Sequence, residues 1–227
     1  MLVNGFRQGL VVPEGLIAHG RGEAYDYLIG ERTTKTARRA IKAAAALLLL
    51  SKRPIISVNG NTAALCPLNV VQLSKVIGAT IEVNLFYRTQ QRERMIKSAL
   101  QAWGAKQVLG VGSTASARIP ELQSERRRVD PKGIYIADTV LVPLEDGDRT
   151  EALARMNKRV IAIDLNPLSR TARAADITIV DNVVRAMPAL VRTARALTGY
   201  RSLKEIVDNF DNKKNLQDAI KIIKGEV

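Results

Sequence analysis

The segment DTVLVPLEDGDRTEALARMNKRVIAIDL, from Asp138 to Leu165, contains the pattern that decides the fold. Two apolar runs rich in β-branched residues, DTVLVPL and KRVIAIDL, lie on either side of a helical stretch from Thr150 to Asn157. A strand, a helix and a second strand in this order are typical of a parallel β–α–β unit whose strands are buried on both faces. The segment therefore predicts an α/β protein.

The same alternation extends along most of the chain. Further strands are predicted in PIISVNG, ATIEVNLF, KQVLGVG and DITIVD, and further helices at 34–52, 67–77 and 90–103. Apolar strands that alternate with helices favour a mostly parallel sheet between two helical layers. We therefore expect a three-layer, Rossmann-like α/β fold with helices on both faces of the sheet.

The C-terminal part of the chain is predicted to be helical. The run VVRAMPALVRTARAL follows the last strand, and Pro188 should kink its helix. From Arg201 onward the sequence predicts one or two amphipathic helices. With no internal repeat and no flexible linker, residues 1–227 are expected to form a single α/β domain, with 201–227 as its helical C-terminal appendage.

The charge of the chain points to an anionic partner. Its 35 Lys and Arg residues outnumber 22 Asp and Glu residues, which gives a net charge of +13. Aromatic residues make up only 4% of the sequence, which leaves few stacking platforms for single-stranded nucleic acid. Small phosphorylated ligands therefore fit better than nucleic acid.

Composition also excludes several kinds of site and location. The single Cys66 excludes an internal disulfide framework and a cysteine-rich zinc site, and the single His19 excludes a His-rich metal site. The longest apolar run, at 43–50, is far shorter than the roughly 20 residues of a membrane span. The first residues lack a basic segment followed by an apolar one. We expect a cytoplasmic protein without a membrane partner.

Polar clusters follow five of the predicted strands, namely NGNTAA, NLFYR, LEDGDR, DLNPLSRTAR and DNVVRA. In open α/β sheets, ligands bind beyond the carboxyl ends of the strands. Because the carboxyl ends of parallel strands meet at one edge, this edge is predicted to be the active site.

The acidic cluster has two compatible interpretations. Asp146 and Asp148 could hold Mg²⁺ or accept a substrate amine, since carboxylate oxygens suit hard cations, and Arg149 would keep the local charge near balance. The alternative is a capped helix, with Asp148 as the N-cap and Glu151 at the third helical position.

Two later clusters suggest a nucleotide. Asp164 lies at a strand end, where Rossmann-like folds often bond a ribose hydroxyl. Arg170 and Arg173 could bracket a polyphosphate by forked hydrogen bonds, although a solvated basic loop is the alternative. Asp181 or Asn182 could cap the following helix, contact a nucleotide, or do both.

The earlier clusters are less specific. Asn59 and Asn61 flank a glycine and predict a turn with left-handed backbone conformations, followed by a helix start that could bind phosphate. An ordinary turn is the alternative. Arg21 is a better candidate than His19, because glycines on both sides of it would let the backbone approach a ligand. The string VLGVGSTA matches the dinucleotide fingerprint G-x-G-x-x-A, but a proline follows where a helix should run.

Several longer strings carry a resemblance to a known family. GLIAHGRGEAYDYLIGE, SVNGNTAAL, EVNLFYRT, VLVPLEDGDRTEAL and DLNPLSRTARAADITIVDN together resemble archaeal phosphopantothenate synthetases, also called 4-phosphopantoate–β-alanine ligases. The likeness runs from about Gly5 to Leu197. It implies a homodimer with a Rossmann-like core that uses ATP to make 4′-phosphopantothenate for coenzyme A and releases AMP and pyrophosphate.

The resemblance also implies the ATP-binding residues, which are Arg21, Asp164, Leu165, Asn166, Arg170, Thr171, Asn182 and Val183. Members of the family carry an N-terminal segment with a further ATP-contacting arginine, and this sequence begins after that point. ATP affinity is therefore the property on which this departure bears.

Roles in a two-step reaction follow from the resemblance. The phosphopantoate carboxylate would attack the α-phosphorus of Mg·ATP, and the amine of β-alanine would then attack the acyl adenylate. Arg21 and Arg170 are expected to clamp the polyphosphate, while Asp164 and Asn166 contact the nucleoside.

The expected substrate-binding residues are Asn59, Asn61, Arg88 and Arg149, with Arg88 facing the phosphate of phosphopantoate. Asp146 or Asp148 would face the β-alanine ammonium or the metal. Two other classes remain open from the sequence: an NAD-dependent oxidoreductase on the same sheet, and a basic nucleic-acid-binding module whose affinity falls steeply with salt.

Overall fold

The protein is built around one six-stranded sheet in the computed structural model, which describes residues 1–226. The strands of this sheet are β1 (Pro54–Val58), β2 (Thr80–Val83), β3 (Val108–Leu109), β6 (Thr139–Pro143), β7 (Arg159–Ile163) and β8 (Ile177–Ile179). Two short strands, β4 (Ala117–Arg118) and β5 (Arg128–Val129), pair antiparallel beside it.

The strand order places a crevice in the middle of the sheet. The order is β3-β2-β1-β6-β7-β8, and all neighbouring strands are parallel. Without the small β4–β5 pair this is the doubly wound order 3-2-1-4-5-6, in which the direction of winding reverses between β1 and β6. Loops after these two strands therefore separate to opposite faces and leave a cleft. The six predicted strands and the Rossmann-like sheet are confirmed.

Eleven α-helices accompany the strands in residues 1–226. They are α1 (Leu2–Arg7), α2 (Pro13–Leu28), α3 (Lys35–Leu50), α4 (Gly60–Leu65), α5 (Pro67–Ile77), α6 (Gln90–Ala102), α7 (Gly147–Arg155), α8 (Arg170–Ala174), α9 (Val183–Leu197), α10 (Leu203–Asp208) and α11 (Asn212–Ile223). Side-chain caps fix several starts: Thr34 accepts a hydrogen bond from Ala37 N at 3.1 Å, and Thr89 from Arg92 N at 3.2 Å.

Both faces of the sheet are covered. On one face, alternate residues such as Ile56 and Ile161 pack with buried side chains of α3, α5, α6 and α9, including the alanine-rich side of α3. On the other face, Val140 and Val142 pack with Leu153 of α7 and with the irregular segment 119–137. Burial on both faces explains why the strands read as continuous apolar runs.

The two N-terminal helices were not predicted, because glycines interrupt their sequence pattern. These glycines permit close packing. A Cβ atom at Gly5 would lie 2.6 Å from Ala64 Cβ, and one at Gly15 would lie 2.6 Å from Asn61 Oδ1. The N-terminal helices therefore approach α4 at a distance that larger residues would prevent.

The C-terminal segment forms two helices, as expected. Leu203 and Ile206 of α10 pack against the main core, whereas Leu216 and Ala219 of α11 pack with Ala172 and Val180. The last residue of the predicted appendage, Val227, lies outside the described residues. The helix α9 continues through Pro188. No helix within residues 1–226 has the length and apolar character needed to cross a bilayer.

A buried carboxylate holds the irregular segment against the sheet. Glu82 of β2 is fully buried and accepts hydrogen bonds from Asp130 N at 2.9 Å and Ile134 N at 2.6 Å. Burial raises the pKa of Glu82 to about 7, although the two amides oppose this shift. A Cβ atom at Gly133 would lie 1.9 Å from Glu82 Oε2, so only glycine fits between the segment and the carboxylate.

Two glycine-to-alanine substitutions should therefore have opposite effects on stability. Gly133→Ala forces a shift at Glu82 and should lower the free energy of unfolding by about 1–3 kcal/mol. Gly20→Ala lies inside α2 with no heavy atom within 4 Å of the added methyl group, and should raise it by up to about 1 kcal/mol. Urea unfolding of both variants measures the difference. Equal effects would contradict the packing at Gly133.

Candidate active site

A cleft of about 430 Å³ lies over the carboxyl ends of β1 and β6, where the winding of the sheet reverses. Its walls come from α2 and from the loops after β1, β2, β6 and β7. Among the residues that line it are His19, Arg21, Asn59, Asn61, Phe86, Tyr87, Arg92, Arg126, Glu145, Asp146, Asp164 and Leu165. The predicted position of the site, at the carboxyl edge of the sheet, is thus the position of this cleft.

A buried ion network forms the floor of the cleft. The side chain of Glu145 is only 1% exposed and accepts hydrogen bonds from both Arg126 Nη1 and Arg149 Nη1. Arg149 Nη1 also donates to Ser57 Oγ at 3.0 Å. Burial alone would raise the pKa of Glu145, but the two arginines outweigh it and hold the pKa below its usual value. Glu145 therefore stays ionised in the closed interior of the protein.

Asp146 is the more open carboxylate of the pair. Its Oδ1 atom accepts a hydrogen bond from Arg149 N at 2.9 Å and caps α7. Its Oδ2 atom lies 2.9 Å from Arg126 Nε, but outside hydrogen-bonding geometry, so this oxygen has no hydrogen-bond partner in the protein. Burial and the adjacent Glu145 raise the pKa of Asp146 to about 6, although Arg126 opposes the shift. Asp146 therefore lines the cleft as a partly exposed carboxylate whose Oδ2 atom is buried beside Arg126.

The predicted N-cap of this helix was two residues too late. The N-cap is Asp146, and Asp148 already lies in the first helical turn. Leu144 adopts a left-handed backbone conformation with φ of 55°, which turns the chain immediately after β6 and lets the helix begin early. Asp148 instead pairs with Arg170, with 2.7 Å between Oδ1 and Nη1.

Arg126 was missed as a site residue, although the sequence contains it in the block RRR. Asn84, at the end of β2, donates hydrogen bonds from Nδ2 to the carbonyl oxygens of Arg126 at 3.0 Å and Arg128 at 3.2 Å. This fully buried amide holds the arginine segment over the cleft. The polar residue after β2 was a detectable signal, but the contact spans 42 residues and no local pattern predicts its partner.

Arg92 was also missed. Its guanidinium donates to the carbonyl oxygens of Tyr87 and of Leu10, the latter at 2.9 Å, and so links α6 to the N-terminal segment. Burial lowers the pKa of Arg92, and the charge of Arg126 lowers it further. Arg92 and Arg126 thus place two cations in the lining of the cleft, and the charge of Arg126 is offset by Glu145 and Asp146.

Asn59 and Asn61 lie in the cleft wall, but in structural hydrogen bonds. Asn59 caps α4 and donates from Nδ2 to the carbonyl oxygens of Pro143 at 3.0 Å and Leu144 at 2.9 Å, joining the ends of β1 and β6. The helix start is confirmed, but the left-handed turn is wrong. Glycine is required at position 60 because a Cβ atom there would lie 2.1 Å from Leu10 O.

Arg21 and His19 lie within α2, so the glycines on both sides of Arg21 belong to a regular helix. Gly20 has open space beside it, and Gly22 would place a Cβ atom 3.8 Å from Leu165. The helix presents Arg21 at the cleft with no ion-pair partner among residues 1–226, whereas His19 lies 2.9 Å from Glu23.

At the end of β7, Asp164 and Leu165 also line the cleft. Asp164 accepts hydrogen bonds from Asn166 N at 2.9 Å and from the Ser169 hydroxyl. Burial raises its pKa, and these two hydrogen bonds oppose the shift. Asn166 itself lies outside the cleft lining and accepts from Leu168 N at 2.9 Å.

Two predicted substrate-binding arginines are buried away from the cleft. Arg149 is fully buried in the ion network. The Arg88 side chain is 2% exposed; it lies 3.2 Å from Glu93 Oε1 and donates to the carbonyl oxygens of Val83 and Gly110. Burial lowers the pKa of Arg88, and Glu93 opposes the shift. Neither arginine lines the cleft in this structure, and their contact with a substrate stays a prediction.

The remaining predicted ATP residues lie beside the cleft rather than in it. Arg170 is half exposed and donates to both Glu151 oxygens, at 2.9 and 2.8 Å, as well as pairing with Asp148. Hydrogen bonds to these carboxylates raise its pKa. Thr171 Oγ1 donates to Glu145 O at 3.1 Å.

At the end of β8, Asn182 caps α9. Its Nδ2 atom donates to Glu23 and Asp26 of α2, at 2.8 Å each. Val183 is the first residue of α9 and is buried in the core. Asn182 therefore fixes the position of the helix that carries Arg21.

The side chains of the cleft do not form a complete metal-binding site by themselves. Residues 1–226 contain no group of three or more His, Cys, Asp or Glu side chains arranged to hold one. Mg²⁺, however, is often bound by one or two carboxylates together with substrate phosphates, and Asp146 is a carboxylate that lines the cleft.

A doubly wound sheet with an arginine-rich cleft at its switch point is typical of α/β proteins that bind phosphorylated ligands. The second half of the string VLGVGSTA forms a short 3₁₀ turn, Gly112–Thr114, in place of the helix start that a dinucleotide site requires.

The sequence matches the family described as phosphopantothenate/pantothenate synthetase over residues 36–226. It is 54% identical over 222 residues to the 4-phosphopantoate–β-alanine ligase of Thermococcus kodakarensis, covering 96% of this chain and 84% of the relative. The ligase of the same name from Methanosarcina mazei is 52% identical over 218 residues, covering 95% and 85%. The chain belongs to the phosphopantothenate/pantothenate synthetase family, and it is an enzyme.

Removal of Arg149 should destabilise the protein strongly, because Glu145 would lose one of its two cations inside the interior. We expect Arg149→Met to lower the free energy of unfolding by about 3 kcal/mol. Arg155→Ala, which removes a half-exposed arginine from the same helix, should change it by less than about 1 kcal/mol. Urea unfolding measures both. An effect of Arg149→Met as small as that of Arg155→Ala would contradict the buried network.

Proposed function

We propose that the protein condenses 4-phosphopantoate with β-alanine in this cleft, in coenzyme A biosynthesis, with ATP as co-substrate and AMP and pyrophosphate as further products. The observation that carries the proposal is that Arg21, Arg92 and Arg126, which come from three different parts of the fold, line the same cleft as the carboxylate of Asp146. The names of the relatives at 52–54% identity support the choice of substrates.

The charge of the cleft fits these substrates. ATP and phosphopantoate together carry roughly seven negative charges, whose mutual repulsion has to be offset when they bind side by side. Among residues 1–226, Arg21 has no carboxylate partner, so its guanidinium is available to phosphate oxygens. Arg126 shares its charge with Glu145 and Asp146, so it forms a fixed, oriented cation rather than a mobile one.

The proposed reaction has two steps. A carboxylate oxygen of phosphopantoate attacks the α-phosphorus of ATP, the bond to the β-phosphate oxygen breaks, and pyrophosphate leaves with the electron pair. The neutral amine of β-alanine then attacks the acyl carbon and loses a proton, and AMP leaves with the electron pair of the acyl–oxygen bond. Both steps depend mainly on positioning and on stabilisation of developing negative charge.

Each group in the cleft has a role in this scheme. Arg21 orients the triphosphate, Arg126 and Arg92 stabilise charge at the reacting phosphate, and Asp146 binds the β-alanine ammonium or a magnesium ion. Mg²⁺, held by Asp146 and phosphate oxygens, would neutralise part of the triphosphate charge. Asp164 and Leu165 contact the nucleoside. The homodimer, the lack of nucleic-acid binding and the cytoplasmic location stay predictions.

Product analysis tests the proposal directly. The protein is incubated with Mg·ATP, 4-phosphopantoate and β-alanine, and the nucleotides and organic products are resolved. We expect AMP, pyrophosphate and 4′-phosphopantothenate in equal amounts, and none of them without phosphopantoate. Formation of ADP would contradict the adenylate route, and ATP turnover without phosphopantoate would contradict the proposed substrate.

Arg170 is proposed to contact the polyphosphate, as the resemblance implies, after it releases Glu151. Arg170→Ala should then raise the KM for ATP by about tenfold. Glu151→Gln is the matched variant: it removes one of the two charges that hold the guanidinium, leaves the ion pair with Asp148, and should leave the KM for ATP equal or lower. Steady-state kinetics of both variants decides. A KM for ATP within twofold of the parent in Arg170→Ala would mean that this arginine serves only to join α7 and α8.

Asp146 should give the reaction an acid limb. If its carboxylate has to be ionised, kcat/KM falls as the pH decreases through the pKa of about 6, because the protonated form no longer holds a cation. Asp146→Asn should abolish that limb and leave any titration of the phosphate groups of the substrates. The measurement is the pH dependence of kcat/KM for β-alanine in both proteins. The same limb in both would exclude Asp146 as its source.

A further inference from the structure

A second cavity lies at the start of α3, apart from the active cleft. It has a volume of about 700 Å³ and shares no lining residue with the cleft. Its walls are the loop before α3, the first two turns of that helix and the C-terminal part of α11. We call it the basic cavity, defined by Arg32, Thr33, Thr34, Lys35, Thr36, Arg38, Arg39, Asp218, Lys221 and Ile222.

Five of these ten residues are cations and only one is an acid. The acid, Asp218, is already paired with Arg39 at 2.7 Å. Arg32, Lys35 and Arg38 have neither an ion pair nor a side-chain hydrogen bond with any other group in the described part of the chain. Several like charges facing one cavity repel each other, and only an anion or solvent ions can offset that repulsion.

The position of these cations on the helix is a second unfavourable electrostatic feature, in addition to their mutual repulsion. Lys35 and Arg38 lie in the first turns of α3, where the helix carries partial positive charge and the first turn contains no acidic residue. Basic residues at this end of a helix are unfavourable, whereas anions are stabilised there. The charge distribution is thus poor for stability of the empty protein and suited to a bound anion.

The wall of the basic cavity is rigid. The hydroxyl groups of Thr34 and Thr36 are hydrogen-bonded at 2.7 Å, and both residues are buried. Thr33 Oγ1 donates to Asp181 Oδ2 at 2.7 Å, and Asp181 is itself only 1% exposed. The backbone that carries the cations is therefore held in place beside the end of β8, whereas the cationic side chains themselves are exposed.

We propose that the basic cavity binds a small molecule that carries two or more phosphate groups, at a site separate from the active cleft. Its volume is within the usual range for small-molecule sites. No aromatic side chain lines it, so the ligand is recognised through its phosphates and not through a stacked base. The combined positive charge of the unpaired cations is larger than the negative charge of a single phosphate group. This difference favours a di- or triphosphate over a monophosphate.

Calorimetric titration with inorganic tripolyphosphate at low ionic strength tests the proposal. The double variant Arg32→Ala/Arg38→Ala should bind one equivalent fewer than the parent protein, and its KM for ATP should stay within twofold of the parent. Arg192→Ala/Arg195→Ala is the matched control, because it removes two exposed arginines of α9 that lie in neither cavity. This control should keep the stoichiometry of the parent.

The result separates the basic cavity from the cleft. Binding of tripolyphosphate in the cleft does not change the expected difference. The Arg32→Ala/Arg38→Ala variant binds one tripolyphosphate fewer than the parent protein, and the Arg192→Ala/Arg195→Ala control binds as many as the parent. Inorganic phosphate should bind the basic cavity at least about tenfold more weakly than tripolyphosphate. Unchanged stoichiometry in Arg32→Ala/Arg38→Ala, an equal loss in the control, or tighter binding of a short DNA duplex than of tripolyphosphate at this surface would overturn the proposal.

Discussion

The buried carboxylate of Glu145 is the constraint on which the site depends. An ionised acid with 1% exposure is stable only beside cations, and it holds Arg149 from its own helix and Arg126 from a distant loop. One arginine fixes the start of α7 against β1 through Ser57, and the other brings a positive charge to the cleft. The acids that follow β6 thus belong partly to the fold and partly to the site.

The neighbouring positions 145 and 146 divide these roles because their surroundings differ. Glu145 is enclosed between two guanidinium groups, which keep its pKa low, whereas Asp146 has one partner outside hydrogen-bonding geometry and a pKa raised to about 6. The first acid supports the structure in its ionised form. The second lines the cleft, and it is the acid that we propose to contact the amine substrate or a metal ion.

Much of the fold could be predicted from the sequence, and less of the site. The strands at 54–58 and 139–143 could be predicted because burial on both faces makes their sequences uniformly apolar. The two N-terminal helices could not be predicted, because their sequences contain glycines that allow close packing against α4. Two residues that line the cleft were predicted as candidates: Asp164 because it lies at the end of a strand, and Arg21 because it lies between two glycines. Arg126 was missed because Asn84 positions it across a long stretch of sequence, and Arg88 lies outside the cleft lining because a polar residue after a strand can also turn into the core.

The most direct test of the account is exchange of labelled pyrophosphate into ATP, measured without β-alanine in the parent protein and in Arg126→Ala. An acyl adenylate formed in the cleft predicts exchange that requires 4-phosphopantoate but not β-alanine, and a loss of at least about a hundredfold when the oriented cation is removed. Exchange that needs β-alanine, or that proceeds at the parent rate in Arg126→Ala, would contradict the account.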